Sequence, residues 1–214
     1  SALSWGGLPV NVPAGCGYIL VHLSMFVAAP FYMAEKTLPS HHRPGHKGWQ
    51  RRSGEGAFAR HTMMYEFCAR TDRGLARTNN EDSISLDESC GLAVLADGMG
   101  GYNAGEVASS MATALIRAEM VHWLVQASLQ PSARDVRQAL ELSVGNANRA
   151  VYEAAMANPA YAGMGTTLVV GVFQPGRLVL GHIGDSRCYR CRGGTLARIT
   201  RDHSLLQEQL DAGL

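Results

Sequence analysis

Leu92-Ala93-Val94-Leu95-Ala96-Asp97-Gly98-Met99-Gly100-Gly101 is the stretch from which the rest of the chain is read. Five apolar residues of strand length run into an aspartate, and a glycine-rich turn follows. A helical pattern then opens at Asn103 with Glu106 three residues on, the spacing of a capping box. The pattern predicts a carboxylate, Asp97, at the mouth of a buried strand. Such a place suits a hard metal ion, because the strand fixes the carboxylate while Gly98, lacking a Cβ, lets a backbone carbonyl and water come close. The same residues also fit an ordinary strand-to-helix turn with a solvated aspartate, so the neighbouring segments must decide.

Towards the N-terminus, residues 65–71 and 83–86 read as strands, with 92–96 as the next. The loop Gly74-Leu75-Ala76-Arg77-Thr78-Asn79-Asn80-Glu81-Asp82 places a guanidinium four and five residues before paired carboxylates. Arg77 could fork onto a phosphate while Glu81 and Asp82 hold cations. A surface ion pair of little energetic worth is the other reading. Towards the C-terminus, two helices are expected. The first, from residue 103 to about 124, has Ala108, Met111, Leu115 and Ala118 on one face. The second, from 132 to about 158, carries Val136, Leu140, Val144, Ala147, Val151 and Ala154. Ser132 with Asp135 marks the second start and Asn158-Pro159 its end. These stripes are core-facing, and the two helices should lie antiparallel over one face of a sheet.

A meander of short strands follows at 166–173, 177–183, 186–192 and 195–199, separated by Pro175-Gly176, Gly184 and Gly193-Gly194. Turns this tight require antiparallel neighbours. Within it, Gly181-His182-Ile183-Gly184-Asp185-Ser186-Arg187 again sets an acid, Asp185, beside a glycine at a strand junction. His182 reads as a hydrogen-bonded structural histidine and is kept out of the catalytic set. A short amphipathic helix through Leu205, Leu206 and Leu210 closes the chain. The expected fold is α+β, with antiparallel strands bringing Glu81, Asp82, Asp97 and Asp185 to one end of a sheet.

Composition narrows the partner. Residues 1–62 carry six Lys or Arg against two acids, whereas residues 63–214 carry thirteen Arg, no Lys and sixteen acids. A mildly acidic body with scattered Arg has no stripe for nucleic-acid phosphates, so no nucleic-acid partner is expected. Five cysteines at scattered spacing fit no disulfide framework, and the cytoplasm is the expected compartment. Cys188 and Cys191 lie at odd spacing in an expected strand and read as unrelated strand residues. Residues 16–34 approach bilayer-spanning length, but Gly17, His22, Ser24 and Pro30 interrupt the run. Residues 1–62 are therefore expected to be a poorly ordered or non-native extension, with 63–214 as the organised domain.

Five motifs, in order, carry a resemblance: Arg77-x-x-Asn80-Glu81-Asp82, Asp97-Gly98-Met99-Gly100-Gly101, Gly165-Thr166-Thr167, Gly184-Asp185-Ser186-Arg187 and Asp202-His203-Ser204. Together they resemble the metal-dependent protein phosphatases of the 2C type, particularly their small bacterial serine/threonine members. The resemblance implies an antiparallel β-sandwich flanked by helices, with a two-metal site at one end. It also implies hydrolysis of phosphoserine and phosphothreonine with two Mn²⁺ or Mg²⁺ ions and, at Asp185, a third weaker one. Asp97 would bridge the metals, Gly98 would offer its carbonyl, Glu81 would reach a metal through water, Asp82 would orient that water shell, and Arg77 would clamp the phosphate. The implied partners are phosphoproteins and an opposing serine/threonine kinase, with the chain a monomer and not a membrane protein.

Two departures stand beside the resemblance. Met99 occupies a position where some members have a histidine proposed as general acid, which leaves the proton donor open. The family's later metal aspartates have no counterpart, since Glu208 and Asp211 are the only acids after Asp202. The catalytic domain is thus expected to be incomplete at its C-terminus, and these 214 residues alone are expected to show little Mn²⁺-dependent hydrolysis. A non-catalytic module that binds or regulates a phosphoprotein is the alternative reading. A nucleotide-binding loop at Gly98 to Gly101 lacks both the Gly-Lys-Ser/Thr ending and the dinucleotide spacing.

Overall fold

The computed structural model describes residues 3–5, 8–10, 17–22, 26–31, 67–73, 75, 78–101, 104–127 and 130–213, with the strands before residue 32 described as backbone. Twelve strands, three α-helices and a 3-10 helix at Pro159–Tyr161 are described. In chain order these are β1 (Leu3–Trp5), β2 (Leu8–Val10), β3 (Gly17–His22), β4 (Phe26–Phe31), β5 (Cys68–Arg70), β6 (Asp82–Asp87) and β7 (Leu92–Met99). Helices α1 (Ala104–Gln126) and α2 (Ala133–Ala157) follow, then β8 (Gly165–Thr166), β9 (Leu168–Gln174), β10 (Arg177–Ile183), β11 (Arg187–Arg192), β12 (Thr195–Arg198) and α3 (Leu205–Asp211). Of the two five-stranded sheets, one runs β10-β9-β7-β6, with β8 also paired to β7, and the other runs β12-β11-β3-β4-β5; β1 and β2 form a two-stranded sheet. All neighbours in both sheets pair antiparallel.

The faces of the first sheet follow from strand alternation. Leu92, Val94, Val170 and Val172 pack with Ile116 and Met120 of α1 and with Val136, Ala139 and Leu140 of α2. Each large side chain buried there stabilises the fold by about 1.5–3 kcal/mol. The opposite face sends Leu95, Val169 and Phe173 against Cys188 of β11 and Phe67 just before β5, which joins the two sheets into a sandwich. Phe67 meets Phe173 edge-on at 5.3 Å between ring centroids, an arrangement aromatic quadrupoles favour. The start of α1 (Ala104, Ala108, Ala112) meets the end of α2 (Val151), while its later residues meet the start of α2, so the helices are antiparallel as expected. Ser132 caps α2 in a reciprocal capping box with Asp135, and Asn158 ends it.

Several expectations need correction. Strand β7 does not stop before Asp97 but runs to Met99, because β8 pairs with Gly98 and Met99 and gives the strand end a second neighbour. The expected strand 166–173 is two strands, interrupted at Thr167. The buried stripe of α1 is Ala104, Ala108, Ser109, Ala112, Thr113, Ile116 and Met120, whereas Ala118 is exposed. Ser109 and Thr113 are buried because β6 satisfies their hydroxyls: Ser109 donates to the Glu81 carbonyl at 2.6 Å and Thr113 shares a 2.7 Å hydrogen bond with Ser83. The capping role of Asn103 lies outside the described residues. Within the extension, β3 lies beside β11 with Arg187 opposite His22 and Arg192 opposite Gly17, and β4 pairs with β5. No described helix is long and apolar enough to cross a membrane.

Candidate active site

Asp82 and Asp97 occupy directly opposite positions in the antiparallel pairing of β6 with β7. Opposite residues share a face, with Cβ atoms about 4.5–5.5 Å apart. Ile84 and Leu86 of β6 and Leu95 of β7 lie on the inter-sheet side, so alternation puts both aspartates on that side too, at the strand ends. Two carboxylates across a ladder repel each other, and a cation between them removes the repulsion.

Glu81 is held from two directions, since its carbonyl accepts from Gly98 N–H at 3.0 Å and from the Ser109 hydroxyl. Its carboxylate lies against Gly105 in the first turn of α1, where an added Cβ would fall 2.7 Å from Glu81 Oε1. Gly98 is equally constrained: a Cβ there would sit 1.9 Å from the Gly105 carbonyl oxygen. Two facing glycines therefore let β7, the start of β6 and the head of α1 close together. Asn80 Oδ1 accepts from Asp82 N–H at 3.1 Å, and Asn80 Nδ2 donates to Thr71 at 2.6 Å, fixing the approach to the paired acids.

The peptide of Asp97 is fastened by the Gly165-Thr166-Thr167 segment. Asp97 N–H donates to Thr167 Oγ1 at 3.1 Å, and the Asp97 carbonyl accepts from Thr167 N–H at 2.9 Å and from the Thr166 hydroxyl at 2.9 Å. Thr167 Oγ1 also pairs closely with the fully buried Ser186 hydroxyl. Asp185, the residue before Ser186, is exposed and reaches this end of the sheet through that link. Gly184, at φ +93°, packs on Thr167, whose Cγ2 would lie 2.8 Å from a Cβ at that position.

The Asp202-His203-Ser204 motif buttresses the same turn. His203 N–H donates to the Gly184 carbonyl at 2.8 Å, and Gly184 N–H donates to His203 Nδ1 at 3.3 Å. Arg187 grips Asp202 through Nε and Nη2, the latter at 2.6 Å. Those hydrogen bonds hold the Asp202 carboxyl below the usual carboxylate range, against burial, which acts the other way. His182 stacks at 4.8 Å from His203, and burial, with His203 beside it, lowers its affinity for a proton. Its Nε2 is buried without a hydrogen-bond partner among the described residues, so the expectation of a fully hydrogen-bonded histidine is corrected on that side of the ring. Burial pushes the Cys188 thiol up to about 12, which leaves it unreactive, and all four described cysteines are free.

The structure thus brings Glu81, Asp82, Asp97 and Gly98 to one strand end and connects Asp185 to it. Arg77 lies outside the described residues. Among the described residues no three acidic, histidine or cysteine side chains converge tightly enough to form a metal cluster by themselves. The donor chemistry nevertheless fits a hard divalent cation: two carboxylates at directly opposite register positions and a backbone held open by glycine, with the Glu81 carboxylate on the α1 side of the same strand end. Sequence reasoning missed Ser109, Thr113 and Thr167 as supports, because isolated hydroxyls carry no periodic signal.

The family model described as protein phosphatase 2C matches residues 75–209. The serine/threonine protein phosphatase PstP of Mycobacterium tuberculosis is 41% identical over 155 residues, covering 72% of this chain and 28% of PstP. A serine/threonine phosphatase of Listeria monocytogenes is 36% identical over 154 residues, covering 71% of this chain and 59% of the relative. A crystal structure of the catalytic domain of PstP in complex with two manganese ions superposes with a TM-score of 0.57 at 40% identity, over 67% of this chain and 58% of that one. The chain therefore spans between about a quarter and three-fifths of the length of these curated relatives.

Proposed function

The chain belongs to the protein phosphatase 2C family, and from that premise we propose that it serves metal-dependent hydrolysis of phosphoserine and phosphothreonine in proteins. The observation that carries this reading is the register placing Asp82 opposite Asp97, with Glu81 and Gly98 beside them, at one end of the first sheet. Two Mn²⁺ or Mg²⁺ ions are the cofactors this donor set would take; Asp97 and the Gly98 carbonyl would hold them, Glu81 would reach them through water, and Asp82 would orient that water. Asp185 would serve a third ion. When bound, such ions supply an activated water and charge stabilisation on the transferring phosphoryl group. Arg77 would contribute a forked guanidinium for the phosphate oxygens. The glycine-backed contact of β7 with α1 fixes these groups before substrate arrives, so little reorganisation is needed on binding.

Phosphoproteins modified by a serine/threonine kinase are the substrates this reading names, acted on by a monomer in the cytoplasm. The test is phosphate release from a phosphothreonine peptide with Mn²⁺, run on the 214 residues and on a version continued past Leu214 by the closing segment of a relative. The continued version is expected to turn over, and to lose activity with chelator and in Asp97→Ala. Tight phosphopeptide binding without hydrolysis in both would overturn the hydrolase reading in favour of a phosphoprotein-binding module.

A further inference from the structure

The interruption between β8 and β9 falls at Thr167, beside Asp97. In an unbroken antiparallel ladder the Asp97 N–H would meet a backbone carbonyl on the neighbouring strand. Here it meets a side-chain hydroxyl instead, at 3.1 Å. A hydroxyl has one proton and two lone pairs, and its direction is set by whatever else it bonds. For Thr167 that second partner is Ser186, whose side chain is fully buried and has no access to solvent.

We infer that Thr167 is a positioning residue for Asp97: its hydroxyl, oriented by Ser186, sets the peptide plane of Asp97 and ties it to the Gly184-Asp185 turn. The inference rests on Asp97 being a cation ligand. Four observations converge on it. The Asp97 peptide is bonded to Thr167 on both its N–H and its C=O sides, with Thr166 as a further donor to the same carbonyl. The Thr167 methyl fills the space against Gly184 that any side chain there would contest. Gly184 is in turn bonded on both its polar groups to His203. Asp185 hangs between Gly184 and Ser186, so the turn carrying it and the strand end carrying Asp97 share one hydrogen-bonded joint. Partners that orient a metal ligand from behind commonly change metal affinity about 10- to 100-fold when removed.

Two variants separate the hydroxyl from the methyl. Thr167→Val keeps the methyl against Gly184 and removes the hydroxyl; Thr167→Ser does the reverse. Hydrogen exchange of the Asp97 amide in metal-free protein and calorimetric Mn²⁺ titration are the readouts. Thr167→Val is expected to speed exchange of that amide and weaken Mn²⁺ binding, each by about tenfold or more, and Thr167→Ser to stay within about threefold on both. Ser186→Ala should shift both in the same direction by less. Thr167→Val matching the parent on either readout, or Thr167→Ser falling as far as Thr167→Val, would overturn the inference. An unchanged Mn²⁺ titration in Asp97→Ala would instead overturn the cation reading beneath it, which the amide exchange of Asp97 does not depend on.

Discussion

The two sheets of the sandwich are built differently. In the first, β9 is buried along all seven residues, because α1 and α2 cover one face and the second sheet covers the other. In the second, β11 buries only Cys188 and Cys191, β5 is exposed throughout, and β12 is mostly exposed. The first sheet therefore draws its rigidity from packing, and it carries Asp82 and Asp97. The second contributes polar ties, Arg187 to Asp202 and His203 to Gly184, that brace the turn bearing Asp185. The two facing aspartates thus sit on the packed layer, and the polar bracing sits on the layer open to water.

The sharpest way to break this contrast is Gly98→Ala. Its Cβ would meet backbone of α1, which no side-chain rotation can relieve, so a loss on the order of 4 kcal/mol or of cooperative folding altogether is expected in urea unfolding. A next step compares one leucine from each sheet. Leu92→Ala, at a fully buried position, should cost about 2–5 kcal/mol, whereas Leu196→Ala, 46% exposed on β12, should stay within about 0.5 kcal/mol. Similar losses in both would show that the second sheet is packed as firmly as the first.

The smallest effect concerns pH. Asp202 is held below the ordinary aspartate value of 3.8 chiefly by its hydrogen bonds to Arg187. Because the folded carboxyl is the stronger acid, its contribution is present above the unfolded value and is lost as pH falls through the lowered folded one. Asp202→Asn should therefore be less stable than the parent near neutral pH, with the gap closing below about pH 4, as read by urea midpoints across that range. A gap that persists unchanged at pH 2 would assign the loss to packing instead.

What could be read from residues alone follows the same division. The apolar run at Leu92, the α2 stripe and the Ser132–Asp135 capping box depend on local periodicity, and each stands where it was expected. Local pattern also puts Glu81 and Asp82 beside a strand start, but their facing Asp97 is a matter of register, set by the pairing of β6 with β7. The break at Thr167 was hidden because a hydroxyl replacing a ladder acceptor changes no hydrophobic pattern. The burial of Ser109 and Thr113 on α1 carries no local signal, since only the three-dimensional approach of residues 81–83 supplies their partners. In the extension, β3 pairs with β11 while β4 pairs with β3 and β5, pairings set by tertiary structure and not read from local pattern.

The central claim is that the Asp82–Asp97 end of the first sheet is a divalent-cation site, and Mn²⁺ titration by calorimetry tests it most directly. Asp97→Ala should weaken binding by at least about 100-fold, because it removes a carboxylate that would hold the cations, while Asp87→Asn at the far end of β6 should leave the titration unchanged. Equal Mn²⁺ binding by the parent and Asp97→Ala, or an equal loss in Asp87→Asn, would contradict the account.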